Sequence, residues 1–261
     1  MRLFIKILLK AYLLPLTFTE KIKLHIRENY FALASRHLYH ITRIIKRNKY
    51  NKDEIIIDVG AADGSVSAFF SKQFSENPIY SYEPNPAYLP SLQEKEKRYS
   101  KIKIKTIALS NKQDKMSFFI TRNSVSSSLK KINSSLLQEQ HHPFLTPLDV
   151  EKEISVNTNT LDNEFNDYKK NVLLIKLDVQ GAELDVLKGG INLLKRTKYI
   201  LTEMQTHQFY EDASPYHKVD DFLRENGFKL IDMITSYRHD GIYVDEYDAI
   251  YKNLKYEAKL S

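Results

Sequence analysis

Short apolar runs alternate with longer amphipathic stretches from residue 55 onward. Runs such as Ile55–Val59 and Val172–Asp178 are typical of strands that are buried on both faces of a parallel sheet. The predicted strands are Ile55–Val59, Ile79–Glu83, Ile102–Ala108, Val172–Asp178, Tyr199–Met204 and Lys229–Ile234. The predicted helices lie near residues 65–75, 86–98, 183–196 and 216–226. Strands alternating with helices indicate repeated βαβ units, and therefore an α/β fold with a doubly wound parallel sheet.

Residues 112–160 interrupt this alternation with a polar segment rich in Ser, Gln and His. Within it, Met116–Thr121 and Ile154–Thr158 have the composition of strands. We interpret the segment as an insertion, and a loop that contacts substrate is its expected role. The neighbouring histidines His141 and His142 lack an acidic ligand pattern around them, so we interpret them as loop residues and predict no metal site.

Charge is divided unevenly along the 261 residues. Residues 1–52 contain twelve Lys or Arg and two Glu, a net charge of +10, whereas residues 53–261 contain 27 basic and 31 acidic side chains, a net charge of −4. The sequence therefore predicts a basic helical N-terminal arm, residues 1–52, followed by a mildly acidic domain, residues 53–261. Because the domain is net negative, a broad phosphate-binding face is disfavoured and no nucleic-acid partner is expected.

The arm has the pattern of an amphipathic helix, since Arg2, Lys6 and Lys10 fall on one helical stripe. Its apolar run is too interrupted to supply the roughly 20 apolar residues that cross a bilayer. Two interpretations stay open for residues 1–48: contact with an anionic membrane surface, and packing against the domain. The chain contains no cysteine, which fits a reducing compartment. The predicted location is the cytoplasm. The basic arm favours peripheral attachment to the inner face of the membrane within that compartment.

Glycine is scarce, and two of the seven glycines follow the first predicted strand in the segment Asp-Val-Gly-Ala-Ala-Asp-Gly, residues 58–64. A glycine loop between a strand and a helix places a ligand at the carboxyl edge of the sheet. The dinucleotide fingerprint would need glycine at Ala62 and Ser65, and the loop also lacks the lysine of a P-loop. The segment therefore favours an uncharged or cationic nucleoside over a pyrophosphate, and an NAD-dependent dehydrogenase is the weaker alternative.

Glu83 ends the second predicted strand, 25 residues after Asp58. In nucleoside-binding sheets an acid at this position accepts both ribose hydroxyls, because an ionised carboxylate has two acceptor oxygens. The glycine loop and this acid together indicate a nucleoside site more strongly than either does alone.

At this point the chain resembles the FkbM family of S-adenosylmethionine-dependent methyltransferases, from about Asp53 to Lys252. The resemblance rests on the segments Asp-Val-Gly-Ala-Ala-Asp-Gly (58–64), Glu-Pro-Asn-Pro (83–86), Ala-Leu-Ser-Asn (108–111), Ser-Ser-Ser-Leu (126–129), Asn-Thr-Leu-Asp (159–162), Ile-Lys-Leu-Asp-Val-Gln-Gly-Ala-Glu-Leu-Asp-Val-Leu-Lys-Gly-Gly (175–190), Asp-Phe-Leu-Arg-Glu-Asn-Gly-Phe (221–228) and Tyr-Asp-Ala-Ile-Tyr (247–251). The segment 175–190 is the most specific. Many members have Asn at the position of Ala62 and Glu at the position of Gln180, and the second difference removes a carboxylate.

The resemblance implies a Rossmann-like class I methyltransferase sheet of seven mostly parallel strands, with S-adenosylmethionine over the loops after strands one to four. It implies that Asp58, Gly60 and Gly64 surround the methionine part, that Glu83 holds the ribose, and that residues 108–111 lie beside the adenine. The implied cofactor-binding residues are Asp58, Gly60, Ala61, Asp63, Gly64, Glu83, Pro84, Asn85, Ala108, Leu109, Ser110 and Asp178.

Three residues are candidates for the catalytic base. The resemblance implies that Asp178 faces the transferred methyl or its acceptor, and Glu203 and His207 lie at the end of the next predicted strand. Methyl transfer is an in-line displacement that depends on positioning, and a hydroxyl acceptor also benefits from a base. We interpret Lys176, Asp185 and Lys188 as members of surface ion pairs.

The predicted activity is transfer of a methyl group from S-adenosylmethionine to a hydroxyl on a sugar of a surface glycan or its precursor. One alternative is a non-catalytic membrane-proximal or glycan-binding module that keeps the fold without cofactor affinity. Methylation of RNA is a weaker variant, because the acidic domain does not favour binding to phosphates.

Overall fold

The computed structural model describes residues 36–133, 150–239 and 242–256. The predicted cationic stripe of the arm and the pair His141–His142 lie outside these residues. The chain comprises two compact units, Met1–His40 and Ile41–Ser261, and only residues 36–40 of the first are described. The division of the chain at residue 52 stays a prediction. In the part of the chain that the structure describes, no helix is long and apolar enough to cross a bilayer.

Strands and helices alternate through the described residues. The strands are β1 (Ile55–Val59), β2 (Ile79–Tyr82), β3 (Ile102–Lys105), β4 (Ala108–Leu109), β5 (Asp114–Thr121), β6 (Val150–Asn159), β7 (Val172–Leu177), β8 (Thr197–Gln205), β9 (Phe228–His239) and β10 (Tyr243–Asn253). The helices are α1 (Arg36–Arg47), α2 (Ser65–Gln73), α3 (Leu89–Arg98), α4 (Leu161–Glu164), α5 (Glu183–Lys188), α6 (Ile191–Leu194) and α7 (Tyr216–Glu225). Short 3₁₀ turns occupy Pro86–Tyr88 and Ser124–Ser126.

Seven strands form one sheet in the order β3-β2-β1-β7-β8-β10-β9. All neighbours pair in parallel except β10, which is antiparallel to both β8 and β9. This confirms the predicted α/β, doubly wound sheet of seven mostly parallel strands. The chain moves outward from β1 to β3 and then returns to β7 on the other side of β1. Ligands of such sheets bind in the crevice outside the carboxyl ends of the strands at this reversal.

A second sheet of three strands, in the order β4-β6-β5, contains two strands of the predicted insertion, β5 and β6. The predicted strands Met116–Thr121 and Ile154–Thr158 are confirmed as parts of β5 and β6. The prediction of one strand over Ile102–Ala108 is wrong, because β3 ends at Lys105 and Ala108 begins β4 in the second sheet.

Every residue of the two central strands β1 and β7 is buried, and all but two of them are apolar. The two exceptions are Asp58 and Lys176, which lie opposite each other in the register of the sheet. Charged side chains are costly to bury unless they are paired. This pair stands directly below the crevice where the strand order reverses, and it marks the base of the candidate site.

Candidate functional site

A cleft opens at the carboxyl ends of β1, β2 and β7 and extends past β4 to the 3₁₀ turn at Ser124–Ser126. Its empty space is about 820 Å³, counted out to its open mouth. The structure brings these predicted cofactor-binding residues to its wall: Gly60, Ala61, Asp63, Glu83, Pro84, Ala108, Leu109 and Asp178. It does not bring Asp58, Gly64, Asn85 and Ser110 to the wall.

The loop after β1 is held in an unusual backbone conformation. Gly60, Ala62 and Gly64 have φ angles of 75°, 46° and 79°, all in the left-handed region. The backbone N–H groups of Gly60 and Ala61 both donate to the carbonyl oxygen of Tyr82, each at 3.0 Å. The loop is therefore fixed to the end of β2 and follows the floor of the cleft.

Asp63 and Asn85 each support a turn beside the cleft. The carboxylate of Asp63 accepts hydrogen bonds from the backbone N–H and the hydroxyl of Ser65, the first residue of α2, at 3.0 and 2.8 Å. The side-chain oxygen of Asn85 accepts a bond of 3.1 Å from the backbone N–H of Ala87 and caps the 3₁₀ turn after β2. Both side chains shape the loops that line the cleft.

Glu83 is buried at the end of β2, and each of its carboxylate oxygens accepts one backbone N–H. Ala62 donates to Oε2 and Asn85 donates to Oε1, both at 2.8 Å. Burial raises the pKa of Glu83 to about 7, against the opposing effect of the two backbone donors. Since each carboxylate oxygen has two lone pairs, one direction on each oxygen remains available to a ligand hydroxyl.

Lys176 lies between two carboxylates at the base of the cleft. Its Nζ is 3.4 Å from Asp58 Oδ1 and 3.4 Å from Asp178 Oδ2, and it donates to the carbonyl oxygen of Gly60 at 3.0 Å. The interpretation of Lys176 as a surface residue is wrong, because only 4% of it is exposed. Burial lowers its pKa, but Asp178 and Asp58 together outweigh burial and raise the pKa above its usual value. Lys176 is therefore a buried cation.

Asp58 completes this group from below. Its Oδ2 accepts a 2.6 Å hydrogen bond from the hydroxyl of Ser67, which also contacts the hydroxyl of Ser81 at 2.6 Å. Burial raises the pKa of Asp58, and Lys176 and Ser67 oppose the increase. Asp58 thus holds Lys176 in place, and Lys176 holds the loop carbonyl of Gly60.

Gln180 connects Asp178 to the acidic residues at the end of β8. Its Nε2 donates to Asp178 Oδ1 and to Glu203 Oε2, both at 2.9 Å, and its Oε1 accepts a 2.7 Å bond from the hydroxyl of Tyr210. An amide side chain can donate these two hydrogen bonds, whereas an ionised carboxylate at the same position has no proton to donate. Burial and the neighbouring Glu246 raise the pKa of Glu203 well above its usual value.

The three base candidates occupy successive places along the sheet edge. Asp178 lines the cleft, Glu203 lies one hydrogen bond behind Gln180, and His207 follows the end of β8 beside Asp245. The predicted ion pair of Asp185 is confirmed, because its Oδ2 lies 2.8 Å from Lys130 Nζ.

A family model described as the Methyltransferase FkbM domain matches residues 58–230. The match contains the glycine loop, Glu83, Lys176, Asp178 and Gln180. The chain belongs to the FkbM methyltransferase family. Its cofactor is S-adenosylmethionine.

Among curated proteins, this FkbM chain is similar to the 2-O-methyltransferase NoeI of Sinorhizobium fredii, with 27% identity over 66% of the chain and 71% of that protein. It is also similar to Methyltransferase 1 of Beauveria bassiana, with 25% identity over 52% of the chain and 58% of that protein. A crystal structure of an FkbM methyltransferase from Methylobacillus flagellatus matches 78% of the chain and 44% of its own length, with 15% identity and a TM-score of 0.47.

The residues of the FkbM cleft fit S-adenosylmethionine. The two free lone-pair directions of Glu83 suit the two ribose hydroxyls, and the apolar side chains of Ile107, Leu109 and Phe118 offer a surface for the adenine. Asp58 and Asp178 carry two negative charges against the one positive charge of Lys176, which leaves a net negative environment for the sulfonium. When bound, the cofactor supplies an electrophilic methyl group, and the FkbM residues position it and balance its charge.

Several residues of the FkbM site were not predicted from the sequence. Ser124, Val125, Ser127 and Leu129 line the cleft from the segment after β5. This segment is attached to the β7 loop by the hydroxyl of Ser128, which contacts the carbonyl oxygens of Val179 and Gln180 at 3.1 and 2.7 Å. The only sequence signal was the Ser-Ser-Ser-Leu motif, which does not indicate which side chains reach the cleft.

Proposed function

We propose that this FkbM protein transfers a methyl group from S-adenosylmethionine to a hydroxyl oxygen on a sugar of a surface glycan, or of its lipid- or nucleotide-linked precursor. We propose oxygen as the methylated atom because the chain is similar to NoeI, whose name specifies a 2-O-methyltransferase. A hydroxyl acceptor must lose a proton during transfer, and Asp178, Glu203 and His207 are the candidates to accept it.

The excess of basic residues in residues 1–52 supports an acceptor that lies near an anionic surface. We extend the proposal to a cytoplasmic protein whose residues 1–48 contact the inner face of the membrane, where lipid-linked glycan precursors would be within reach. Flotation of the purified chain with vesicles that contain anionic lipid, compared with neutral vesicles, tests this part on its own.

The activity is tested with S-adenosylmethionine that carries a labelled methyl group, the purified full chain, and a panel of nucleotide-linked and lipid-linked sugars. Mass spectrometry of the product locates the methyl group on oxygen or nitrogen. We expect Glu83→Ala to weaken binding of S-adenosylhomocysteine at least about tenfold, because two charge-assisted hydrogen bonds are lost. Glu94→Ala, at an exposed position of α3, is the matched control.

Two results would contradict different parts of the proposal, the first the acceptor class and the second the catalytic activity. Binding of S-adenosylhomocysteine without methylation of any sugar would exclude the proposed acceptor class. No binding by well-folded protein would instead favour a non-catalytic module on the same fold.

A further inference from the structure

A fully buried carboxylate contacts the imidazole of His207 at the carboxyl end of β8. His207 Nδ1 lies 3.1 Å from Oδ1 of Asp245, which is on the neighbouring strand β10. The side chain of Asp245 has no exposed surface, whereas that of His207 is 38% exposed. One edge of the ring therefore faces a buried acid, and part of the side chain is open to solvent.

Among the side chains that the structure describes, in residues 36–133, 150–236 and 242–256, His207 is the one basic group within 4 Å of the Asp245 carboxylate. No regular hydrogen bond from these residues reaches either of its carboxylate oxygens. A buried carboxylate is strongly disfavoured in the interior unless a polar or charged group lies against it, and the ring of His207 is the group that contacts Asp245.

Thr206 indicates which ring nitrogen carries the proton in the neutral form. The hydroxyl of Thr206 donates to the carbonyl oxygen of Val244 at 2.7 Å, and its oxygen lies 3.1 Å from His207 Nδ1. A hydroxyl has one proton, so toward the ring Thr206 acts as an acceptor. Because Thr206 and Asp245 both present acceptors to Nδ1, the proton belongs on Nδ1 and Nε2 keeps its lone pair.

The other two base candidates are already engaged. Asp178 is paired with Lys176 and accepts a hydrogen bond from Gln180. Glu203 also accepts from Gln180, and burial and the adjacent Glu246 raise its pKa well above its usual value. A carboxyl group that is protonated, or held by a lysine and an amide, is a poor acceptor for a hydroxyl proton.

We propose that His207 accepts the proton of the acceptor hydroxyl and that Asp245 is the positioning residue that orients its ring and stabilises the resulting cation. This inference rests on the proposed transfer to oxygen. The acceptor oxygen bonds to the methyl carbon as the carbon–sulfur bond breaks, and the electron pair of that bond stays on sulfur. The hydroxyl proton passes to Nε2 of His207, which later releases it to water. The arrangement follows the logic of an aspartate that orients a catalytic histidine.

The first test reads the tautomer directly by NMR of the full chain labelled with ¹⁵N in its histidine rings, with His207→Gln to assign the signals. We expect the neutral ring of His207 to carry its proton on Nδ1, and Asp245→Asn to abolish this preference. Asp221→Asn, at an exposed position of α7, should leave the signals unchanged. A wild-type ring with its proton on Nε2 would overturn the inference without any measurement of activity.

The second test uses the sugar acceptor identified for the proposed function. We expect His207→Gln to lower kcat about 100-fold and Asp245→Asn to lower it about tenfold, with unchanged affinity for S-adenosylhomocysteine. The matched control is His217→Gln, an exposed histidine of α7. Retention of wild-type kcat by His207→Gln would overturn the role of His207 alone. If the wild-type protein formed no oxygen-methylated product, the proposed function would fail, and the role of His207 would fail with it.

Discussion

Gly60 faces the backbone carbonyl of Asp178 so closely that a Cβ atom at position 60 would lie 1.8 Å from the carbonyl oxygen. The two residues directly follow the adjacent central strands β1 and β7. This approach closes the floor of the cleft between the loop that carries the glycines and the loop that carries Asp178. Any side chain at position 60 would separate the two loops.

We expect Gly60→Ala to destabilise the protein by about 2–4 kcal/mol and to abolish measurable binding of S-adenosylhomocysteine, because both the φ angle of 75° and the contact with Asp178 disfavour a side chain. Denaturant unfolding and calorimetric titration measure the two effects. Gly227→Ala is the control, since Gly227 has a φ of 90° but meets only the flexible side chain of Lys255. It should lower stability and leave the affinity unchanged.

Replacing Lys176 by Met would leave the buried carboxylate of Asp58 without its counter-charge. We expect Lys176→Met to lower the free energy of unfolding by about 3–5 kcal/mol. Adding Asp58→Asn should recover part of this loss, because the uncompensated charge is then removed. Urea unfolding of the two single variants and the double variant gives the coupling energy. The exposed Lys188→Met serves as the control, and a similar loss there would contradict the assigned role.

Gln180→Glu tests the amide that donates to Asp178 and Glu203. A carboxylate at this position places three acids together and removes both hydrogen bonds. We expect a loss of about 1–3 kcal/mol at about pH 8 that becomes smaller toward about pH 5, as the introduced acid takes up a proton. Thermal unfolding across this range measures the effect. A loss that is independent of pH would indicate a steric cause instead.

Stability itself should depend on pH through the buried acids. Burial raises the pKa of Glu83, Glu183 and Glu246 from 4.5 to about 7 in the folded protein. The folded state therefore binds more protons than the unfolded state between these values, and the free energy of unfolding falls as the pH rises from 4.5 to about 7. Glu246→Gln should reduce this slope, whereas Glu94→Gln should not. Stability that increases with pH over this window would be the opposite result.

The sheet could be predicted because its central strands have an unambiguous pattern. Ile55–Val59 and Val172–Leu177 are nearly continuous runs of β-branched and aliphatic residues, and the loop with Gly60 interrupts the chain where a ligand would bind. Strand β10 was not predicted, because Asp245, Glu246 and Asp248 hide the apolar alternation of its sequence. These acids lie on the strand that pairs with β8 beside Glu203, and they depart from the usual composition of a strand.

Much of the site depends on contacts between residues that are distant in sequence. Lys176 could be placed on the same sheet face as Asp178, but its burial depends on Asp58, which is 118 positions earlier. The pairing of His207 with Asp245 likewise depends on β10 crossing beside β8. Local patterns contain no information on such pairs, so the sequence identified the candidates without their partners.

Asp178 belongs to two charge groups at once, since Lys176 contacts one of its oxygens and Gln180 the other. The positive charge of a sulfonium on the cleft side would favour the ionised forms of Asp178 and of the nearby Glu203 and Glu246, and would therefore lower the pKa of the two glutamates. Cofactor binding is then accompanied by release of protons to the buffer, and the heat of binding varies with the ionisation enthalpy of that buffer. By reciprocity, any ligand that changes the protonation of Glu203 or Glu246 also changes the affinity for the cofactor.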